Sequence, residues 1–335
     1  MTPLFFGLSG PDLTADERAF FTECDPAGFI LFRRNVVDRV QLRRLTAALR
    51  SVSGRDDVPI LIDQEGGRVA RMRPPEWPAF PAGEAFAALY DRAPVSAIEA
   101  MLANAQAIGA VLAEVGINVD CLPLLDVRQP GAHDIIGDRA LGAEPMQVAA
   151  LGRATIDGLA RAGVVGVVKH MPGHGRALVD SHLELPIVDA SDAELETDLR
   201  PFRTLATAPM AMTAHVVYRA WDAERCASLS PVVIADIIRG RIGFDGLLMS
   251  DDLGMQALGG DYGARAGGVI AAGCDIALHC SGIMDEMIAC AGAVGTISDA
   301  ARARLDRAMA TVAAGGDGLS QDVLAARRDA FLALA

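Results

Sequence analysis

The chain has 335 residues, of which 51% are hydrophobic and 22% charged, with a formal net charge of −13 and a pI near 4.9. This composition excludes a disordered or fibrous chain, and the negative charge argues against binding to nucleic acid or to an anionic membrane surface. No apolar run approaches the ~18–20 residues of a spanning helix, so we expect no membrane segment.

Eight short segments rich in Val, Ile and Leu recur along the chain, and most end in a polar or charged residue. Their nearly continuous apolar character is typical of strands buried on both faces. In chain order they are a first segment near Phe5–Leu8, then Gly28–Phe32, Val58–Asp63, Gly116–Pro123, Val164–His170, Pro209–His215, Gly246–Asp252 and Cys274–Cys280.

Amphipathic patterns between these segments predict helices over Asp38–Val52, Ser96–Val115, Met146–Ala162, Ser191–Ala206, Pro231–Ile242 and Tyr262–Ala272. Ser191 and Glu194 form a capping-box pattern, and Ser230 precedes a helix-starting proline. About eight alternating strand–helix units favour a closed (β/α)8 barrel, an α/β fold of the TIM type, over an open doubly wound sheet.

No linker rich in Ser, Pro or Gly interrupts the chain before the Gly315–Gly316 region. We therefore predict a single domain over residues 1–335, with a final helical segment, Gln321–Ala335, packed on its outside. The N-terminus lacks the basic region and the long apolar stretch of a secretion signal. The six cysteines include no C-x-x-C pair, which predicts thiols rather than disulfides or zinc ligands, and a cytoplasmic protein.

In a barrel of this kind, functional residues lie at the carboxyl ends of the strands. The predicted strand ends carry Asp63, Asp120, Lys169 with His170, His215, and Asp251 with Asp252. A residue at a strand end can also be polar only because water reaches it. Solvent exposure explains any one of these residues well, but it explains the whole set less well.

The segment Lys169–His182 (K-H-M-P-G-H-G-R-A-L-V-D-S-H) holds three of the six histidines, and its proline and glycines predict a loop. His170 and His174 have zinc-ligand spacing only on a helix, so we expect no metal and no cofactor. The alternative is acid–base catalysis by His182. Asp180 would fix the tautomer of that imidazole and favour its protonated form.

The run Gly243–Met255 (G-F-D-G-L-L-M-S-D-D-L-G-M) ends a strand with two carboxylates. Strand alternation places Asp251 and Asp252 on opposite faces. One of the two can therefore point into the barrel mouth as a candidate nucleophile while the other holds the loop. For Asp252 we favour a loop hydrogen bond or a helix cap.

Asp63 opens the stretch D-Q-E-G-G-R-V-A-R, in which Arg68 and Arg71 follow two glycines. An Asp in this position can accept hydrogen bonds from sugar hydroxyls, and an Arg can donate to hydroxyl or carboxylate oxygens. Arg139 in I-G-D-R-A-L-G is either a further ligand-facing cation or a surface ion-pair partner.

Taken together, these segments resemble glycoside hydrolase family 3, and within it the short bacterial β-N-acetylglucosaminidases (β-hexosaminidases, NagZ type) of peptidoglycan recycling. The motifs that carry the resemblance, in order, are G-F-I-L-F-R-R-N, L-I-D-Q-E-G-G-R-V, N-V-D-C-L-P-L-L-D-V, G-D-R-A-L-G, V-K-H-M-P-G-H-G, D-S-H, T-A-H-V-V-Y and S-D-D-L-G-M. Each motif alone is weak, but their joint order over nearly the whole chain is specific.

The resemblance implies a single-domain barrel and a retaining exo-β-N-acetylglucosaminidase that releases terminal GlcNAc from anhydro-muropeptides. It implies Asp251 as the catalytic nucleophile and His182, with Asp180, as the acid/base on a mobile loop. The residues that match sugar-binding positions are Asp63, Arg71, Arg139, Lys169 and His170. The implied partner is a small sugar or muropeptide substrate, bound by a monomer.

Three alternatives stay open at this point. A neutral imidazole in place of an acid/base carboxylate repels an incoming anion less, so phosphate could replace water and make the protein a phosphorylase. Lys169 at the end of a buried strand also suits a Schiff-base aldolase. The third alternative is a sugar-binding protein that has kept the fold without catalysis.

Overall fold

The computed structural model describes residues 1–131, 133–179, 184–312 and 318–334. Eight parallel strands close into a barrel in which each strand pairs with the next one along the chain and the eighth pairs with the first. The strands are β1 Thr2–Phe6, β2 Pro26–Leu31, β3 Ile60–Ile62, β4 Val119–Asp120, β5 Val165–Met171, β6 Met210–Thr213, β7 Leu247–Asp252 and β8 Ile276–His279. The predicted α/β barrel is confirmed.

Helices surround the barrel. They are α1 Ala15–Cys24, α2 Arg39–Ser53, α3 Gly83–Tyr90, α4 Pro94–Glu114, α5 Pro145–Arg161, α6 Asp192–Thr204, α7 Tyr262–Ala272, α8 Met284–Ala293, α9 Asp299–Ala310 and α10 Gln321–Leu332. The capping box at Ser191 is confirmed. The predicted helix over Pro231–Ile242 is capped by Ser230, but its main part, Val233–Ile242, is a π-helix rather than an α-helix.

Buried apolar side chains form two clusters. One fills the barrel interior, where residues such as Leu61, Val167 and Met249 point inward from alternate strand positions. Leu305 and Met309 of α9 belong to this same cluster, so α9 closes the end of the barrel opposite the strand carboxyl ends. The other cluster lies between the strands and the surrounding helices.

Helix α4 is long and apolar enough, by length and composition alone, to cross a membrane. The sequence contains no continuous apolar run of that length, because the apolar residues of α4 alternate with polar ones. However, 67% of its most apolar stretch is buried inside the protein, and Asn104 accepts a hydrogen bond from Arg328 of α10. Helix α4 is thus a core helix that also carries the predicted C-terminal helix. The single-domain organisation stays a prediction.

Candidate active site

A cavity of about 240 Å³ opens at the carboxyl ends of the strands. Many of the residues that line it are charged, and apolar side chains, Phe32, Met212 and Leu278 among them, line other parts of it. The polar residues that line the cavity are Asp63, Glu65, Arg68, Arg71, Arg139, Lys169, His170, His174, Asp251 and Asp252. All five residues that match sugar-binding positions, and the candidate nucleophile, are therefore brought together.

The charged wall is a chain of ion pairs centred on Lys169, which is 2% exposed. Its Nζ lies 3.1 Å from Asp63 Oδ1 and 2.7 Å from Glu65 Oε1. Asp63 Oδ2 accepts a 3.0 Å hydrogen bond from Arg71, and Glu65 binds Arg139 through two 2.8 Å hydrogen bonds. Three cations thus share two carboxylates, which leaves one net positive charge.

Two local structures place these groups. A hairpin of Gln64–Gly66 and Val69–Ala70 carries Glu65 and leads directly to Arg71. Its turn needs glycine, because Gly66 has φ 96° and a Cβ there would lie 2.3 Å from the carbonyl oxygen of Pro81. Arg68 donates to the carbonyl oxygens of residues 134 and 135, which holds the loop that ends in Arg139.

The ion pairs outweigh the cost of burying these charges. Burial by itself would raise the pKa of both carboxyls, but Lys169 and Arg71 hold the pKa of Asp63 well below its usual range, and Arg139 with Lys169 lowers that of Glu65 to about 2. The two carboxylates in turn raise the pKa of Lys169 above its ordinary value, against the effect of burial. The wall is therefore fully ionised at neutral pH.

This environment rules against the aldolase alternative. A Schiff-base lysine attacks as a neutral amine, so its pKa has to be lowered. Lys169 has the opposite arrangement, because two carboxylates hold it as an ammonium group. The described part of the chain also holds no group of three His, Cys, Asp or Glu side chains that could bind a metal ion.

Asp251 and Asp252 occupy the end of β7 with different surroundings. Both carboxylates line the cavity. The register between β7 and β8 shifts between Met249 and Asp252, which interrupts the strand alternation, so the predicted placement of Asp251 and Asp252 on opposite faces is not confirmed. Asp252 Oδ1 accepts from the backbone N–H groups of Gly254 at 2.9 Å and Cys280 at 3.1 Å. The predicted loop hydrogen bond of Asp252 is confirmed.

Asp126 joins the segment after β4 to the end of β5. Its Oδ2 lies 2.8 Å from His170 Nδ1, and its Oδ1 accepts from the backbone N–H groups of His170 at 3.2 Å and His174 at 2.7 Å. Burial and the neighbouring His170 lower the pKa of His174 to about 4, so that this imidazole is neutral at neutral pH.

His215, another of the predicted strand-end residues, binds the backbone at the end of β7. It is buried, which lowers its pKa, and its Nε2 donates a 3.0 Å hydrogen bond to the carbonyl oxygen of Asp252. Asp180 and His182, the predicted acid/base pair, lie outside the described residues, so their roles stay predictions.

Sequence reasoning missed two residues of this site, Glu65 and Asp126. Glu65 was visible in D-Q-E-G-G-R, but its partner Arg139 lies 74 residues away. Asp126 stood in the motif N-V-D-C-L-P-L-L-D-V, where only its position after a predicted strand gave a signal.

Asp120 leads to a prediction about stability. Burial raises the pKa of its carboxyl to about 8, although Gln64 donates a backbone hydrogen bond to Oδ1. Between the unfolded pKa of about 3.9 and about 8, the folded protein keeps a proton that the unfolded chain releases, so this group destabilises the fold increasingly as pH rises. We expect Asp120→Asn to gain melting temperature relative to wild type between about pH 5 and about pH 8.5.

Thermal unfolding followed by circular dichroism at the two pH values measures this difference. A melting-temperature difference that is the same at both would contradict a protonated Asp120 in the folded state.

Comparison with known proteins gives an independent result. The family model described as the glycosyl hydrolase family 3 N terminal domain matches residues 9–314. A protein from Alkalilimnicola ehrlichii named beta-hexosaminidase is 40% identical over 284 residues, which are 83% of this chain and 80% of that protein.

Two solved structures are also similar. NagZ from Neisseria gonorrhoeae, in complex with N-trifluoroacetyl-D-glucosamine, has a TM-score of 0.87 and 31% identity, over 100% of this chain and 98% of that one. A glycoside hydrolase family 3 beta-N-acetylglucosaminidase from Paenibacillus sp. has a TM-score of 0.88 and 31% identity. That match covers 98% of this chain but 66% of the longer Paenibacillus chain.

Proposed function

Because this chain belongs to glycosyl hydrolase family 3 and is a glycoside hydrolase, we propose that it is a retaining exo-β-N-acetylglucosaminidase acting on peptidoglycan fragments. In this proposal it releases terminal, β-1,4-linked GlcNAc from anhydro-muropeptides in the cytoplasm, as a monomer without a cofactor. The single observation that carries the proposal is the cavity that combines Asp251 with the charged wall of Asp63, Glu65 and Lys169.

The proposed chemistry is a double displacement. Asp251 attacks the anomeric carbon and forms a glycosyl ester while protonated His182 gives its proton to the departing glycosidic oxygen. His182, now neutral, then takes a proton from water, and the resulting hydroxide replaces Asp251 at the anomeric carbon. The sugar leaves with its original configuration, and both side chains return to their starting states.

The charged wall supports sugar recognition. Arg71, Arg139 and Lys169 donate hydrogen bonds but cannot accept them, which suits the oxygen atoms of sugar hydroxyls. Their ion pairs hold them in place before substrate arrives, so less side-chain entropy is lost on binding. Apolar side chains of the cavity, such as Phe32 and Met212, suit the less polar face of a sugar ring.

The test is release of p-nitrophenol from the β-GlcNAc aryl glycoside, compared with the matching β-glucoside. We expect kcat/KM for the N-acetyl sugar to exceed that for glucose by about 100-fold or more, because a site built around one substituent loses several hydrogen bonds and contacts without it. Equal cleavage of both sugars would contradict the N-acetyl specificity. Release of GlcNAc from an anhydro-muropeptide would then establish the natural substrate class.

The same assay in phosphate buffer identifies the acceptor. Water as acceptor gives free GlcNAc as the product, and its amount should not depend on phosphate. GlcNAc-1-phosphate as the main product would instead identify the protein as a phosphorylase.

A further inference from the structure

Asp126 is a buried carboxylate at the edge of the cavity to which no role is assigned above. It is 0% exposed and does not itself line the cavity. Burial would raise its pKa, but His170 and the backbone N–H of His174 stabilise the charged form and lower it to about 2. At neutral pH Asp126 is therefore ionised and can only accept hydrogen bonds.

An acceptor-only partner decides where the proton of the neighbouring imidazole lies. The proton in the 2.8 Å contact between Asp126 Oδ2 and His170 Nδ1 must belong to Nδ1. The other ring nitrogen, Nε2, has no hydrogen-bond partner among the described residues, and His170 lines the cavity. In a neutral imidazole with its proton on Nδ1, Nε2 is a hydrogen-bond acceptor.

The cavity has more donors than acceptors along its charged wall. Arg71, Arg139 and Lys169 offer only donors, and each oxygen of Asp63 already accepts one hydrogen bond, from Arg71 or from Lys169, so His170 would add an acceptor next to these cations. A sugar hydroxyl that accepts a hydrogen bond from one of these cations also has an O–H group of its own. Burying that O–H group without an acceptor weakens substrate binding.

We propose that Asp126 is a positioning residue that holds His170 as its Nδ1–H tautomer, so that Nε2 accepts a hydrogen bond from a substrate hydroxyl. The proposal rests on the proposed function only in that the substrate is a sugar. Nε2 of His170 would then favour a substrate that carries a hydroxyl at this point over one with a group that cannot donate a hydrogen bond.

The tautomer is measured directly by long-range 1H–15N NMR of histidine-labelled protein, with the His170 signal assigned by its loss in His170→Gln. We expect the Nδ1–H form in the wild type. In Asp126→Asn the amide oxygen can still accept the hydrogen bonds from the backbone N–H groups of His170 and His174. The amide N–H would then donate to Nδ1 of His170, so the imidazole should change to its Nε2–H tautomer. A wild-type His170 that carries a proton on Nε2 at neutral pH would overturn the proposal.

Kinetics give the second readout. Asp126→Asn should lower kcat/KM by about 10- to 100-fold, because a lone pair facing the sugar hydroxyl is replaced by a second donor. Analogues in which one hydroxyl at C3, C4 or C6 is replaced by fluorine cannot donate at that position. In the wild type one of them should lose about 10-fold or more in kcat/KM, and in Asp126→Asn that loss should disappear. The same losses in both proteins would contradict the proposal.

Asp275→Asn is the matched control. Asp275 is also buried, and it also accepts from a backbone N–H, that of Leu248, but it lies at the opposite end of the barrel. We expect it to leave the pattern of fluorine losses unchanged. If the wild type cleaves no GlcNAc glycoside, the proposed function fails, while the NMR measurement still decides the tautomer.

Discussion

Replacing Asp251 by alanine should lower kcat on an aryl β-GlcNAc substrate by about 10⁴-fold or more, because the proposed double displacement loses the carboxylate that attacks the anomeric carbon. Azide should restore part of the turnover. It can enter the space left by the carboxylate and attack the anomeric carbon, where the C–N bond forms as the bond to the aryl oxygen breaks. Because this is a single displacement, the product should be the α-glycosyl azide.

The neighbouring carboxylate is the matched control for this prediction. Asp252→Asn keeps an oxygen that can accept from the backbone N–H groups of Gly254 and Cys280, so we expect a loss of less than about 10-fold. If Asp252→Asn lost more activity than Asp251→Ala, the two carboxylates would have been assigned the wrong way round.

Replacing Asp63 by alanine should lower kcat/KM by about 10³-fold and also destabilise the protein. The change leaves Arg71 without its carboxylate and Lys169 with one carboxylate instead of two, and breaking a buried ion pair costs about 3–5 kcal/mol. The same two cations then lose their fixed positions toward the sugar. Initial rates and thermal unfolding of the same preparations measure the two effects.

Asp275 separates the two effects. It also holds two cations, with 2.7 Å to Arg239 and 3.0 Å to Arg304, at the end of the barrel away from the cavity. Asp275→Ala should lower the melting temperature comparably but leave kcat/KM of the folded protein within about twofold of wild type. Equal kinetic losses in both variants would mean that the role of Asp63 is structural only.

The barrel could be predicted from the sequence because strands buried on both faces leave a strong local signal. Strand alternation was a poorer guide at the end of β7, where a register shift lies before Asp252 and both Asp251 and Asp252 line the cavity. The boundaries were less predictable. The segment predicted over Gly116–Pro123 pairs only at Val119–Asp120, since Gly116, with φ 78°, turns the chain after α4 and Pro123 has no N–H to donate.

Other parts of the fold left weaker signals. Helix α9 was missed although its buried residues have helical spacing, because two of them, Ala301 and Ala308, contrast little with their polar neighbours. The ion pairs of the site were not predictable, since Glu65 and Arg139 are far apart in sequence and only closure of the barrel makes them neighbours.

The most direct test of the account is to identify the side chain that becomes bonded to the sugar. A 5-fluoro GlcNAc fluoride should react with the enzyme faster than the product hydrolyses, because the ring fluorine slows both steps and the fluoride leaving group restores only the first. Peptide mass spectrometry of the inactivated protein should then find one fluoro-sugar on the peptide that contains β7, attached to Asp251. Attachment to Asp252 or to any other residue, or inactivation without a covalent sugar, would contradict a double displacement through Asp251.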